Sequence, residues 1–397
     1  MSDMIASSAG WSEHTDSLLA GTEAAESALR RLLPLKPKLA VVFGSSWFNQ
    51  ALLLQGVRAL VGAIPVVGES TAGEIGPNGP GTRSCVVLLL GGEALAYGIG
   101  CGEHVGRAPR EAGQKAAQAT LKECTGARAG FLLFGDGLVP RYSEVVRGIQ
   151  EALGTSALIA GGLAGDDFRY TRTYQYYQQR VLSGAIVGVL FGGGVKMGVG
   201  VEHGFAPISK PRQVTRAQAN ILYELDQQPA ASVYEEYLGP ELVQQMREEG
   251  LMHRGIAYPL GIQSAASSSE WLLRNVLAFG PDGSLSCTGD VLEGSWLQLM
   301  MGNRELALEA TRKAAEQAIR PLNRVACAIM FDSAIRRRLL GSDYTTREIA
   351  QVREVVGPST SLVGCYTYGE LAPSTASLSG ERTSIQTGSI LVLALGA

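Results

Sequence analysis

VVGESTAGEI (Val66–Ile75) is a short apolar run that enters a turn of two glycines and hydroxyl side chains and leaves it on a glutamate. Near the other end of the chain LVGCYTYGEL (Leu362–Leu371) repeats it without a gap. Val67, Gly68, Thr71, Gly73 and Glu74 stand against Val363, Gly364, Thr367, Gly369 and Glu370. A strand that ends in such a turn delivers polar groups to the rim of a sheet. Turn geometry alone calls for the glycines but not for the glutamate, so its recurrence marks both turns as candidate site elements.

Around the first copy lie a buried-strand run, KLAVVFG, a helix from Asn49 to Leu60, and two further strands, SCVVLLLGG and ALAYGIGCG. The same order then returns. GFLLFGDGLV (Gly130–Val139) reads as a strand, Tyr142 to Leu153 as a helix, and SALIAGGLAGDD (Ser156–Asp167) as a strand with a glycine-rich exit. SGAIVGVLFGGGVKMGVGVEHGFAP mirrors SCVVLLLGGEALAYGIGCGEHVGRAP down to its Glu-His pair, Glu103-His104 against Glu202-His203. A unit of about 100 residues repeated this closely implies duplication. In the second half RVACAIMFD, a helix from Tyr344 to Val355, TSLVG and the terminal GSILVLALGA form another version of it. Ser209 to Gln228 is polar and is read as a helical junction, followed by helices at Ala230–Tyr237 and Pro240–Glu249. The expected fold is α/β, with α+β mixed sheets and helices packed on them. It comprises a helical lead-in (1–37) and two pseudo-symmetric domains of repeated strand-helix-strand units (38–212 and 213–397).

The 397 residues are 46% hydrophobic and 18% charged, with 50 glycines, which suits a large buried core and excludes a disordered chain. A net charge of −3 argues against a nucleic-acid partner. No apolar run is long enough to span a bilayer, and the N-terminus lacks the pattern of a secretion signal. The six cysteines have no CxxC spacing, so reduced core thiols and a cytoplasmic location are expected.

In the paired turns, backbone N–H groups with Ser70, Thr71 and Thr367 could cradle a carboxylate or phosphate. Gly73 allows the close turn, Glu74 and Glu370 could face an ammonium group, and Tyr366 and Tyr368 could wall an apolar portion. An amino acid would fit. Asp166, Asp167 and Arg169 follow the middle strand exit, at a place where α/β sheets bind ligands. The tyrosines Tyr170, Tyr174, Tyr176 and Tyr177 have the period of a half-exposed strand. Four histidines without HxxH or HExxH spacing point away from zinc. GESTAG is no nucleophile elbow, no cysteine has a histidine partner in sequence, and no catalytic residue is assigned.

The ordered motifs VVGESTAGEI, FGDG, AGGLAGDD, VEHGFAP, LDQQPAASVYEEYLG, YPLGI, LLRNVLAF, GDVLEGSWLQL and LVGCYTYGEL resemble the FIST family, its N-terminal and C-terminal domains in tandem. The resemblance covers nearly everything after residue 38. It implies a cytosolic sensory module for small ligands, amino acids among them. The output would pass to a separate signalling partner such as a histidine kinase or a receptor. The alternatives are a haem-based nitric oxide sensor, with His203 or His104 as axial ligand, and a small-metabolite enzyme using strand-end carboxylates. MFDSAIRRR departs from the family pattern, with Asp332-Ser333 where a cysteine-containing stretch is common.

Overall fold

The computed structural model describes residues 5–139, 141–249, 257–263, 271–373 and 383–397. The strand-helix-strand unit occurs three times, and its strands build three six-stranded sheets of identical plan. The first runs Ala6–Ser12, Cys85–Gly91, Pro37–Ser45, Val66–Thr71, Gln175–Tyr177, Arg180–Leu182. The second runs Leu95–Glu103, Ala185–Gly193, Arg128–Asp136, Ile159–Ala164, Gly369–Pro373, Thr383–Gln386. The third runs Lys196–His203, Ser389–Gly396, Val325–Ser333, Ser361–Thr367, Glu74–Gly76, Gly79–Gly81. In each, only the central pair is parallel. We call the units holding these parallel pairs I, II and III.

The last two strands of every sheet are lent by another unit. The hairpin after the unit I turn joins the unit III sheet, that of unit II joins unit I, and that of unit III joins unit II. The ring of loans closes the fold and brings the three turns around one pseudo-threefold axis. The lead-in belongs to it as well. Besides the helix Ser17–Leu32, the lead-in carries the strand Ala6–Ser12, which fills the edge place taken by Leu95–Glu103 and Lys196–His203 in the other sheets.

Apolar alternation along the three parallel pairs fills the axis. Phe43, Phe134 and Phe331, one from each unit, meet in a triangle with centroids 5.9 to 6.2 Å apart. Their register partners are Glu69, Gly162 and Cys365. A Cβ at Gly162 would collide with Phe331 and stand 2.9 Å from Glu69 Oε1, so the glycine makes room for the one carboxyl in this layer. Glu69 is fully buried, accepts from the Cys365 thiol at 3.6 Å, and burial raises its pKa well above the carboxylate range. The first glycine of each motif has a related role. A Cβ at Gly68, Gly161 or Gly364 would strike the backbone oxygen of Val42, Leu133 or Met330 on the adjacent parallel strand.

Helices cover the outer faces in pairs. Ser17–Leu32 packs on Gln50–Val61, Pro109–Leu121 on Tyr142–Leu153, and Arg304–Ile319 on Ala334–Val356. Asp16, Asn49 and Asn303 cap their helices through side-chain oxygens, as their residue types predict. In the first two pairs the backbones touch through reciprocal glycines, Gly21 with Gly56 and Gly113 with Gly148. In the third pair a buried polar cluster occupies the junction.

Between Lys196–His203 and Arg304–Ile319 the chain makes a separate nine-stranded sheet with its own core, flanked by the helices Ser232–Leu238 and Pro240–Glu249. Phe205–Pro207 and Trp296–Gly302 pair at its base, where the chain enters and leaves. The polar stretch read as a helical junction is here a hairpin, Arg212–Gln218 with Ile221–Leu225. Left-handed Ala219 (φ 51°) turns the chain, and Val214, Leu222 and Leu225 bury one face, so tertiary burial overrides a helix-like composition. The four tyrosines also separate: only Tyr176 and Tyr177 lie on a strand, and Tyr176 is fully buried.

Candidate functional site

The unit I and unit III turns have the same internal wiring. Thr71 donates to Glu74 Oε1, while the Ser84 hydroxyl (2.6 Å) and amide (3.1 Å) donate to Oε2. Thr367 donates to Glu370 Oε1 at 2.6 Å, and the Ser389 hydroxyl (2.6 Å) and amide (3.4 Å) donate to Oε2. Both carboxyls are fully buried. Burial pushes Glu74 up to about 7 and Glu370 up to about 8, against the opposing pull of these donors. The expectation that they face a ligand's ammonium group meets a geometry in which every oxygen is engaged inside the protein. They brace the turns onto the following strands.

Other expected site residues are also structural in this arrangement. Ser70 donates to the Gly165 oxygen and accepts from the Tyr174 amide, stitching units I and II together. Gly73, at φ 124°, leaves space for Arg337, whose guanidinium donates to the Ala72 and Gly81 oxygens. Tyr366 is buried beneath that guanidinium, 4.6 Å from its ring centroid.

Unit II lacks the brace. Ala164 stands where the others have threonine, Asp167 where they have glutamate, and Ala185 where they have serine. The chain instead forms a loop with three non-glycine residues in the left-handed region: Asp167 (φ 55°), Phe168 (60°) and Tyr170 (51°). Strain of this kind persists where surrounding contacts over-determine it, and it clusters at functional sites. Asp166 is the clamp. It accepts from the amides of Tyr170, Thr171 and Arg172 and from the Tyr368 hydroxyl at 2.5 Å. Its pKa is lowered, since burial, the largest single influence and one that raises it, is outweighed by these donors together.

All three units contribute to the rim above this loop. From unit I come Ser46, exposed Trp47 and exposed Arg83; the Arg83 and Arg169 guanidinium carbons lie 4.3 and 4.8 Å from the indole centroid. Ser46 donates to Asp167 at 3.2 Å and accepts from Arg169 at 2.8 Å. Burial raises the pKa of Asp167 against the pull of Ser46, Arg337 and Arg169. From unit III come Tyr368, stacked on Tyr170 at 5.0 Å, and Arg338, 3.6 Å above the Phe168 ring. Arg169 and Arg337 thus lie near Asp167, with Arg83 over the exposed Trp47 ring and Arg338 over Phe168. Such a surface can hold an anionic group through guanidinium forks and an apolar group by stacking.

Of the residues singled out from sequence, Asp167, Arg169 and Tyr368 reach this rim with accessible side chains. Ser46, Trp47, Arg83, Phe168, Tyr170, Arg337 and Arg338 were missed. The signal was present. FGDG in unit II stands in register with Phe43–Ser46 and Phe331–Ala334, and Trp47 and Arg337-Arg338 follow those segments within a few residues.

Neither histidine joins the rim, and they sit at the ends of edge strands in different sheets. His203 Nδ1 accepts from the Phe205 amide, and burial, then the charge of Arg336, push its pKa down to about 4. His104 is exposed, in a left-handed turn that begins a helix. With one nitrogen engaged and a guanidinium nearby, His203 is a poor fit to a haem iron. Among the described residues no group of His, Cys, Asp and Glu is arranged to hold a metal ion. No helix among them is long and apolar enough to cross a membrane.

The fold and rim define an α/β protein with a cationic, aromatic ligand-type surface at its strand ends. The FIST N domain matches residues 38–228 and the FIST C domain residues 230–373, and the chain belongs to the FIST family. FIST domains are sensory domains of signal transduction that bind small ligands. The Methanocaldococcus jannaschii protein MJ1623, described as uncharacterized, is 26% identical over 306 residues. The match covers 71% of this chain and 58% of that relative, so the chain spans about three-fifths of its length. Among solved structures, cyanuric acid hydrolase from A. caulinodans aligns over 99% of both chains at 11% identity and TM-score 0.37. A chorismatase does so at 11% and 0.35, also over 99% of both.

Proposed function

We propose that the rim at the unit II loop is the ligand site of a sensory protein. Its ligand would be a small anionic metabolite of the amino-acid type. The observation that carries this reading is the departure of one turn in three. Two copies are sealed around a buried glutamate, while the third takes a strained conformation beside Arg83, Arg169, Arg338 and an exposed tryptophan. Arg83 and Arg169 would take the carboxylate, Asp167 an ammonium group, and Trp47 and Tyr170 the side chain. Glu74, Glu370, Ser70, Thr71 and Thr367 would hold the turns in place beneath it.

The output would run through the first helical segment of Ala334–Val356, which breaks at Gly341 (φ 72°). Its first turn carries Arg337 and Arg338 to the rim, and the next residue, Leu339, packs with Phe205 at the base of the inserted sheet. A ligand that repositions this turn would shift the inserted sheet against the ring and be read by a separate cytoplasmic partner, such as a histidine kinase or receptor. The test is a thermal-shift and tryptophan-fluorescence screen of the standard L-amino acids and short dicarboxylates. A binder at about 100 times its Kd adds near 2.7 kcal/mol of stability. Binding at the rim should also change Trp47 emission, a change absent in Trp47→Phe. A binder whose effect survives Arg169→Ala and Asp167→Asn would place the site elsewhere.

A further inference from the structure

The junction of the third helix pair holds a charge imbalance. Arg336 is fully buried and donates through Nε to Asp332 Oδ1 at 2.9 Å and through Nη2 to Glu348 Oε1. Nη2 also reaches the Ala307 oxygen and the Thr311 hydroxyl, which itself donates to Glu348 Oε1 at 2.8 Å. Both carboxyl side chains are fully shielded from solvent. One guanidinium neutralises one carboxylate, so two ionised acids would leave an unbalanced buried charge, which proteins avoid by neutralising the group. The remaining oxygens, Asp332 Oδ2 and Glu348 Oε2, and Arg336 Nη1 have no hydrogen-bond partner among the described residues, while Arg336 holds the other oxygen of both acids.

The other charged groups facing the cluster do not supply the missing positive charge. His203, on the edge strand, is pushed toward its neutral form by burial and Arg336. Arg337 is spent on the Ala72 and Gly81 oxygens. Glu370, on the neighbouring strand, is itself an acid braced by Thr367 and Ser389. Tyr366 offers a hydroxyl with no partner among the described residues.

We infer that the buried Asp332–Arg336–Glu348 cluster keeps one proton on its acid pair, an internal charge arrangement that the matching positions of units I and II do not have. At the matching register Gly44 and Gly135 lie against the hydroxyls of Tyr176 and Tyr142. The Asp332 carboxyl is raised well above its usual range by burial first and by Glu348 second, in keeping with a retained proton. The pair lies under the helix turn that reaches the ligand rim on one side and the base of the inserted sheet on the other.

The experiment compares the wild type with Asp332→Asn and Glu348→Gln, in each of which an amide reproduces the protonated member. Unfolding free energy is measured from about pH 5 to 8, where its slope counts the extra protons held by the folded state. Both variants should fold, and each should hold about one proton fewer than the wild type over this range. Each should also remove intensity from the infrared C=O band of protonated carboxyls in the folded protein. Slopes parallel to the wild type with that band unchanged would overturn the inference. Failure of both variants to fold would overturn it equally, because an amide should satisfy the same contacts as the protonated acid.

Discussion

The braced turns of units I and III and the open loop of unit II occupy equivalent places on one pseudo-threefold ring, yet they use polar residues in opposite ways. Glu74 and Glu370 are buried, with each oxygen matched to a hydroxyl or an amide. Asp167 is partly buried and lies near Arg169 and Arg337, while Asp166 beside it does the bracing. A repeated motif therefore marks what the ring needs to close, and the copy that departs from it is where the proposed ligand site lies.

The largest effect that would break this contrast is loss of a brace. Glu370→Ala leaves the Ser389 donors buried without an acceptor and removes the main acceptor of Thr367, and should cost about 3 kcal/mol, seen as a lower denaturant midpoint. Asp167→Ala should stay within about 1 kcal/mol of wild type, because Arg169 is open to water and Ser46 keeps its bond to Arg169. Gly162→Ala tests the axis behind both regions. Its methyl would enter the space shared by Phe331 and Glu69, and the expected loss is about 2 kcal/mol.

A smaller effect separates the two regions by pH. The raised values of Glu74 and Glu370, about 7 and about 8, mean that the folded protein holds protons the unfolded chain has released. Their contribution is complete below the ordinary carboxylate range and is lost as pH rises through about 7 to 8. Stability should therefore fall over this interval, and Glu370→Gln should flatten the fall by about one proton. Asp166, whose value is lowered, acts in the opposite sense: its stabilisation is present at neutral pH and lost on acidification.

Much of the ring was legible in the chain because burial writes itself as apolar runs. KLAVVFG, GFLLFGDG and RVACAIMFD are the three first strands, and the paired glutamate turns are two of the three closures. The strand exchange was not legible, since a hairpin such as Glu74–Gly81 carries no signal of which sheet it will join. The polar hairpin Arg212–Leu225 was masked by residues that favour helix when no buried face selects a strand. At the rim, Asp167, Arg169 and Tyr368 stood out beside the glycine turns. Trp47, Arg83 and Arg338 come to the rim only through the fold.

The most direct test of the contrast is one ligand screen run on three proteins: wild type, Arg169→Ala and Glu370→Gln. The account predicts that a compound raising the melting temperature and altering Trp47 emission of the wild type does the same to Glu370→Gln and loses both effects in Arg169→Ala. Binding retained by Arg169→Ala but lost in Glu370→Gln, with that variant still folded, would contradict it and return the site to the glutamate turns.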